Sequence, residues 1–149
     1  MTVTGFCPYL KYEDAGAAMA WLERAFGFEE RARYVDKDGI VRQAEMMAGD
    51  HEVWFSGHGP GFWEKLGVEN DMWIGVWVDD VDAVHARVVA AGIAADAPED
   101  KDYDVRSFSV KDPEGYSWGF MKRIGIDYKQ TIPTAEGGLE EVRGSGFRG

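Results

Sequence analysis

A chain of 149 residues with 27 acidic and 16 basic side chains has a formal charge of −11 at pH 7, which argues against a nucleic-acid partner because phosphates need basic surface. Hydrophobic residues make up 45% and aromatics 13%, enough to pack one ordinary domain, or two very small ones, and too much for a disordered chain. No apolar run is long enough to cross a bilayer, the start MTVTGFCPYL lacks a signal-peptide layout, and Cys7 is the only cysteine, so a soluble, cytoplasmic protein without an intrachain disulfide is expected.

Gly5 to Tyr12 reads as a short strand, with Cys7, Tyr9 and Lys11 on one face and Pro8, Leu10 and Tyr12 on the other. Pro8 suits an edge or a strand start. After Glu13-Asp14, the stripe Ala18, Trp21, Leu22, Ala25 and Phe26 predicts a helix over Ala15 to Phe26, ended by Gly27. Glu29 to Tyr34 and Ile40 to Met47 read as strands joined across Asp36-Lys37-Asp38-Gly39, where Asp-Gly is a hairpin signal. Glu52 to Ser56 follows as a third strand beyond the Gly49-Asp50 turn. The connection Gly57 to Asp71 is glycine-rich yet carries Phe62, Trp63 and Leu66, which a bare spacer would not need, so it is expected to pack over something.

Met72 to Ile93 repeats the opening pattern. Trp73 to Val78 alternates an Ile74, Val76, Val78 face with a Trp73, Gly75, Trp77 face. Asp80 is a good helix cap, and Val81, Val84, Val88 and Ala91 form the apolar stripe of a helix closed by Gly92. Asp14 to Asp79 and Gly27 to Gly92 each span 65 positions. A weak strand within Ala94 to Asp104, a clearer one at Val105 to Lys111, the turn Asp112-Pro113-Glu114-Gly115 and a last strand Tyr116 to Met121 complete the second half. Each half is therefore β-α-β-β-β, an internal repeat that weighs more than any single element. The expected fold is α+β: two tandem modules forming a curved mixed sheet around a cleft, with the helices outside. Residues 1–123 form one domain, with module one at 4–56, the connection at 57–71 and module two at 72–122; a polar tail occupies 124–149.

Two such modules, with VDDVDAVHARVVAAGI opening the second and DPEGYSWGF closing it, resemble the vicinal oxygen chelate superfamily, the group of glyoxalase I, bleomycin resistance protein and extradiol dioxygenases. The resemblance implies, for its metalloenzymes, four inward residues on the first and last strands of the modules that hold a divalent cation acting as Lewis acid. Carried over residue by residue, those positions are Cys7, Trp73, Gly119 and Trp54, or Phe55 if the hairpin register slips by one. Such a set cannot build an oxygen-rich or His/carboxylate site, so neither a metal nor another cofactor is expected, and no catalytic residue is assigned.

The inward positions Cys7, Tyr9, Trp54, Trp73, Gly75, Trp77 and Gly119 describe instead an aromatic-walled cleft with two glycine gaps, suited to planar, hydrophobic or cationic ligands. This resembles the metal-free, dimeric bleomycin resistance branch, which sequesters a drug. Arg42 and Arg106 stand at similar places in the two modules, and Arg106 is carried as a candidate for an anionic group of the ligand. His51 and His58 are expected to be solvated and His85 to border its helix, and Cys7, with no activating base nearby, to be a buried inert thiol. The leading expectation is thus a homodimeric small-molecule binder that uses neither nucleic acid nor membrane. Two alternatives stay open: a lyase, isomerase or dioxygenase with a displaced metal site, and a non-catalytic dimerisation domain.

Overall fold

Side chains that alternate between apolar and polar give each sheet one face to bury and one to leave open. The computed structural model describes residues 1–125, so the tail expected at 124–149 lies almost wholly outside the described residues. The first module runs β1 (Tyr9–Tyr12), α1 (Ala15–Phe26), β2 (Glu29–Val35), β3 (Val41–Ala48) and β4 (His51–Gly57). A short helix, α2 (Phe62–Leu66), sits in the connection. The second module follows as β5 (Trp73–Trp77), α3 (Val81–Ala90), β6 (Glu99–Lys101), β7 (Val105–Lys111) and β8 (Ser117–Arg123).

The strands form two separate four-stranded sheets, ordered β1-β4-β3-β2 and β5-β8-β7-β6. In each, the first strand pairs in parallel with the last and the other pairs are antiparallel. The sheets have the same connectivity, and neither closes on itself. Among the described residues, no helix is long and apolar enough to cross a membrane.

Both long helices are capped as their sequences dictate. Asp14 accepts from the Ala17 amide and Asp80 from the Ala83 amide, satisfying N–H groups that a first turn leaves free. The caps stand 66 positions apart, one more than the sequence repeat, because the second Asp of Asp79-Asp80 takes the role. Gly27 ends α1 with φ of 74°, a conformation that costs glycine little.

The first strand is shorter than expected. Pro8 has no N–H for a ladder, and only its carbonyl engages β4, accepting from the Trp54 amide at 2.9 Å. Gly5 to Pro8 lie outside the strand and are exposed. The connection packs as anticipated, over the junction between the modules: the Trp63 indole N–H donates to Glu114 at 2.8 Å, and its ring meets Tyr116 edge-on.

The core joins both modules. Leu10, Tyr12, Met19, Leu22 and Phe55 from the first pack in one cluster with Val81, Val88, Phe108, Trp118 and Phe120 from the second. Phe26, at the end of α1, touches both Trp118 and Phe120 of β8. Asp112 is the charged residue at the centre of this junction. Its carboxylate accepts from the Tyr12 hydroxyl at 2.5 Å, from the Trp118 indole N–H at 3.1 Å and from the amides of Glu114 and Tyr116. A buried carboxylate so surrounded is satisfied. Burial first, and the Asp112 charge second, drive the Tyr12 hydroxyl far above the ordinary tyrosine range.

Candidate functional site

The burial pattern fixes which face of each sheet is free. In β1, Leu10 and Tyr12 are buried while Tyr9 is 54% exposed. In β5, Ile74 and Val76 pack against the core, and Trp73 and Trp77 are each 52% exposed. The face expected to carry the site is therefore the face that the helices leave uncovered.

Register then settles one residue. Tyr9 pairs with Trp54 in the parallel ladder, whereas Phe55, fully buried, pairs with Leu10. Trp54 thus shares the open face of the first sheet with Tyr9, and the two rings meet edge-on at 6.1 Å. Glu45 is the antiparallel partner of Trp54. Arg31 forms ion pairs with Glu45, at 3.6 Å, and with Glu52. The Trp54 indole N–H is buried with no acceptor among the described residues. Cys7 lines a cavity of about 470 Å³ with Arg31, Met47, His51 and Glu52. It is exposed rather than buried, because it precedes the strand on the unpaired arm. Partial burial of its sulfur and then the negative charge of Glu45 push the thiol above its usual range, which disfavours the nucleophilic thiolate.

The open face of the second sheet is built around Trp73. Gly75 and Gly119 are direct partners in the β5–β8 ladder. A Cβ on Gly75 would lie 2.7 Å from Cη2 and Cζ3 of the Trp73 ring, and one on Gly119 would lie 2.6 Å from Cε2 and Nε1. The indole is laid across both glycines. The gaps expected at these two positions are filled, because an aromatic ring covers backbone that carries no side chain of its own. Trp77 is engaged differently: the Arg123 guanidinium lies 4.4 Å from its ring centroid, a cation–π contact.

A second cavity, of about 410 Å³, runs along the seam between the modules. Gly75 and Trp77 line it together with Pro8, Phe28, Ile74, Val76 and Trp118. The predicted residues therefore fall into two groups, Tyr9 and Trp54 on one sheet with Cys7 on the arm before it, and Trp73, Gly75, Trp77 and Gly119 on the other. Arg106 stands apart from both. Its guanidinium is engaged by Asp82 at 2.7 Å and Asp100 at 2.8 Å, tying β7 to α3 and β6. These partners hold it above the ordinary arginine range.

Phe28, Trp118, Arg31 and Glu52 line the cavities without having been singled out from the sequence. Phe28 and Trp118 carry no pattern that separates a cavity lining from core, and the Arg31 pairs bridge strands whose register the sequence did not fix. His58 bonds Ser56 Oγ at 2.8 Å and stacks on Phe62, His85 meets the Ala95 carbonyl at 3.2 Å, and the exposed His51 lines the cavity beside Cys7. The residues at the positions implied for metal ligands do not fit a divalent cation. Gly119 offers no side-chain donor, the indoles of Trp54 and Trp73 present N–H donors rather than lone pairs, and a single thiol with a raised pKa remains. Among the described residues, no three His, Cys, Asp or Glu side chains converge as a metal site.

A family model described as "Glyoxalase/Bleomycin resistance protein/Dioxygenase superfamily" matches residues 10–120. Among solved structures, the chain is similar to TioX from Micromonospora sp. ML1, with 29% identity over 81% of this chain and 99% of that one and a TM-score of 0.67. It is also similar to a bleomycin resistance determinant encoded on the transposon Tn5, at 21% identity over 81% and 98% of the two chains with a TM-score of 0.65. A bleomycin-binding protein complexed with bleomycin matches at 19% identity, 81% and 99% coverage and a TM-score of 0.64. At these last two identities the likeness is one of fold. No curated protein sequence matches the chain.

Proposed function

Because the chain belongs to the glyoxalase/bleomycin resistance protein/dioxygenase superfamily, we propose that it is a metal-free small-molecule-binding protein that holds or sequesters an aromatic or cationic compound. The observation that carries this reading is the chemistry of the four positions implied for metal ligands: a thiol on the arm before β1, and two indoles and a glycine on sheet faces that the helices leave open. One fold hosts many chemistries, so the site residues rather than the fold decide. Tyr9, Trp54, Trp73 and Trp77 offer ring faces and edges to a planar group. Glu45 and Glu52, within a chain of charge −11, favour a cation over an anion. Bleomycin, bound by one structural neighbour, supports an antibiotic as the compound; resistance by sequestration, in the cytoplasm, is the outcome that this reading proposes.

The reading includes a homodimer. Tyr9 and Trp54 lie on one sheet and Trp73 and Trp77 on the other, and a second copy would bring an open face of each kind together as the two walls of a site. Sedimentation showing only the monomer mass would remove this part.

The test is ligand-observed binding of the purified protein against a panel of aromatic antibiotics, with Trp73→Ala as control and elemental analysis alongside. Binding that weakens about tenfold in Trp73→Ala, as loss of a stacking partner would produce, is the expected result. Stoichiometric zinc, nickel, iron or manganese would overturn the metal-free reading in favour of the enzyme alternative.

A further inference from the structure

Trp73 and Trp77 are equally exposed neighbours on the open face of β5, and their surroundings give them different roles. Trp77 already has the Arg123 guanidinium over its ring. Trp73 lies across the Gly75–Gly119 pair on one side and is 52% exposed. We infer that Gly75 and Gly119 are positioning residues that seat the Trp73 indole as a platform for the planar group of the ligand. The inference rests on the binding reading above and deepens it by naming which ring stacks and what holds that ring.

The physical argument concerns what each glycine does without. Neither has a φ in the left-handed region, so neither is required by the turn of the chain, and alanine would suit the strand better. What alanine would meet is the ring itself. The three atoms nearest a Cβ on Gly119 all belong to the Trp73 indole, and those nearest a Cβ on Gly75 are the same indole and the Met121 methyl at 2.9 Å. A ring laid over two backbones is restricted on that side before a ligand arrives. Preorganisation of that kind improves affinity by removing an ordering cost from the binding step. An indole held across two strands also selects for flatness, since an aromatic plane gains contact over its whole area and a branched aliphatic group does not.

The alternative is that Trp73 only shields glycine backbone, as aromatic side chains do across sheets. The experiment separates the two with full-length protein carrying 5-fluorotryptophan. Trp73→Phe identifies the Trp73 fluorine resonance by its loss, and 9-aminoacridine, a planar cation, serves as the probe. Gly75→Ala and Gly119→Ala are read side by side, with circular dichroism confirming the fold, so that failure of one to fold leaves the other. The inference expects both to shift or broaden the Trp73 resonance and to weaken the probe about tenfold, as Trp73→Ala does. It is overturned if the resonance stays in place, or if the glycine variants bind the probe as the wild type does while Trp73→Ala loses it; in that case the binding reading survives. If the wild type binds neither the probe nor the antibiotic panel, the binding reading fails. A glycine-dependent resonance would then mark the seat as packing alone and overturn the platform.

Discussion

Cys7 is an exposed thiol that is poorly placed to react. Partial burial of the sulfur, and then the charge of Glu45, hold its pKa above the ordinary range, so the thiolate fraction at neutral pH is small. Iodoacetamide should therefore modify it slowly for a free cysteine. Glu45→Gln removes the second cause, and the midpoint of the pH–rate profile should fall, with faster alkylation at pH 7.5; an unchanged profile would show that this carboxylate does not act on the sulfur. From the sequence, the lack of a nearby base pointed to a buried inert thiol; the structure leaves the residue exposed, and the Glu45 charge that acts on its sulfur is a tertiary effect that residue identity alone does not encode. The choice between Trp54 and Phe55 was equally beyond a single sequence. Two adjacent aromatics on one strand satisfy the same alternation, and only the Tyr9–Trp54 pairing across β1 and β4 decides which faces outward. The Trp73, Gly75, Trp77 face was readable because β-branched Ile74, Val76 and Val78 claimed the other side. That Trp73 would fold back over both glycines was not, because a rotamer carries no pattern in the chain.

Elements with a strong period and a chemical cap were the readable ones. The residues Ala15 to Phe26 and Val105 to Lys111 fall where their patterns place them, and Asp14 and Asp80 cap as short acidic side chains before apolar stripes should. The helix at Phe62–Leu66 was missed, since five residues within a glycine-rich connection give too short a window for periodicity. Its position comes from Trp63, which is tertiary. Tertiary partners also set how α3 is held. Arg106 reaches across from β7 to Asp82 in the first turn of that helix, and the hydrogen bond from Arg106 holds the Asp82 carboxyl below the usual carboxylate range. A depressed carboxylate contributes stability that is present above its unfolded pKa and is lost as pH falls through the folded one. Asp82→Asn should therefore be less stable than wild type in urea at pH 7, and the two midpoints should converge below the Asp82 folded pKa. A constant gap across that range would mean that the pair contributes through packing rather than charge.

At the scale of the molecule, the repeat suggests two autonomous halves and the contacts argue for one cooperative body. The Asp112 to Gly115 turn of the second module is the clamp. Asp112 takes hydrogen bonds from Tyr12 on β1 and from Trp118 on β8. Glu114 accepts from the amides of Glu13 and Asp14 at the start of α1 and from the Trp63 indole in the connection. From the opposite end, Arg87 of α3 donates to the Glu23 carbonyl in the last turn of α1, where a cation complements the helix terminus. The turn sequence announced a hairpin; nothing in it announced that its carboxylates would grip the other module, because that depends on how two repeats meet. Asp112→Ala would leave the Tyr12 hydroxyl and the Trp118 N–H buried without an acceptor, a loss of roughly 2–4 kcal/mol. Since those donors sit in different modules, the loss should lower the stability of both together. Urea unfolding of the variant should give one midpoint, displaced downward, whether read from the near-ultraviolet signal of the aromatic core or from backbone circular dichroism. If instead the strands of one module melted first while the other kept its wild-type midpoint, the carboxylate would be a local turn anchor, and the halves would be joined by apolar contact alone.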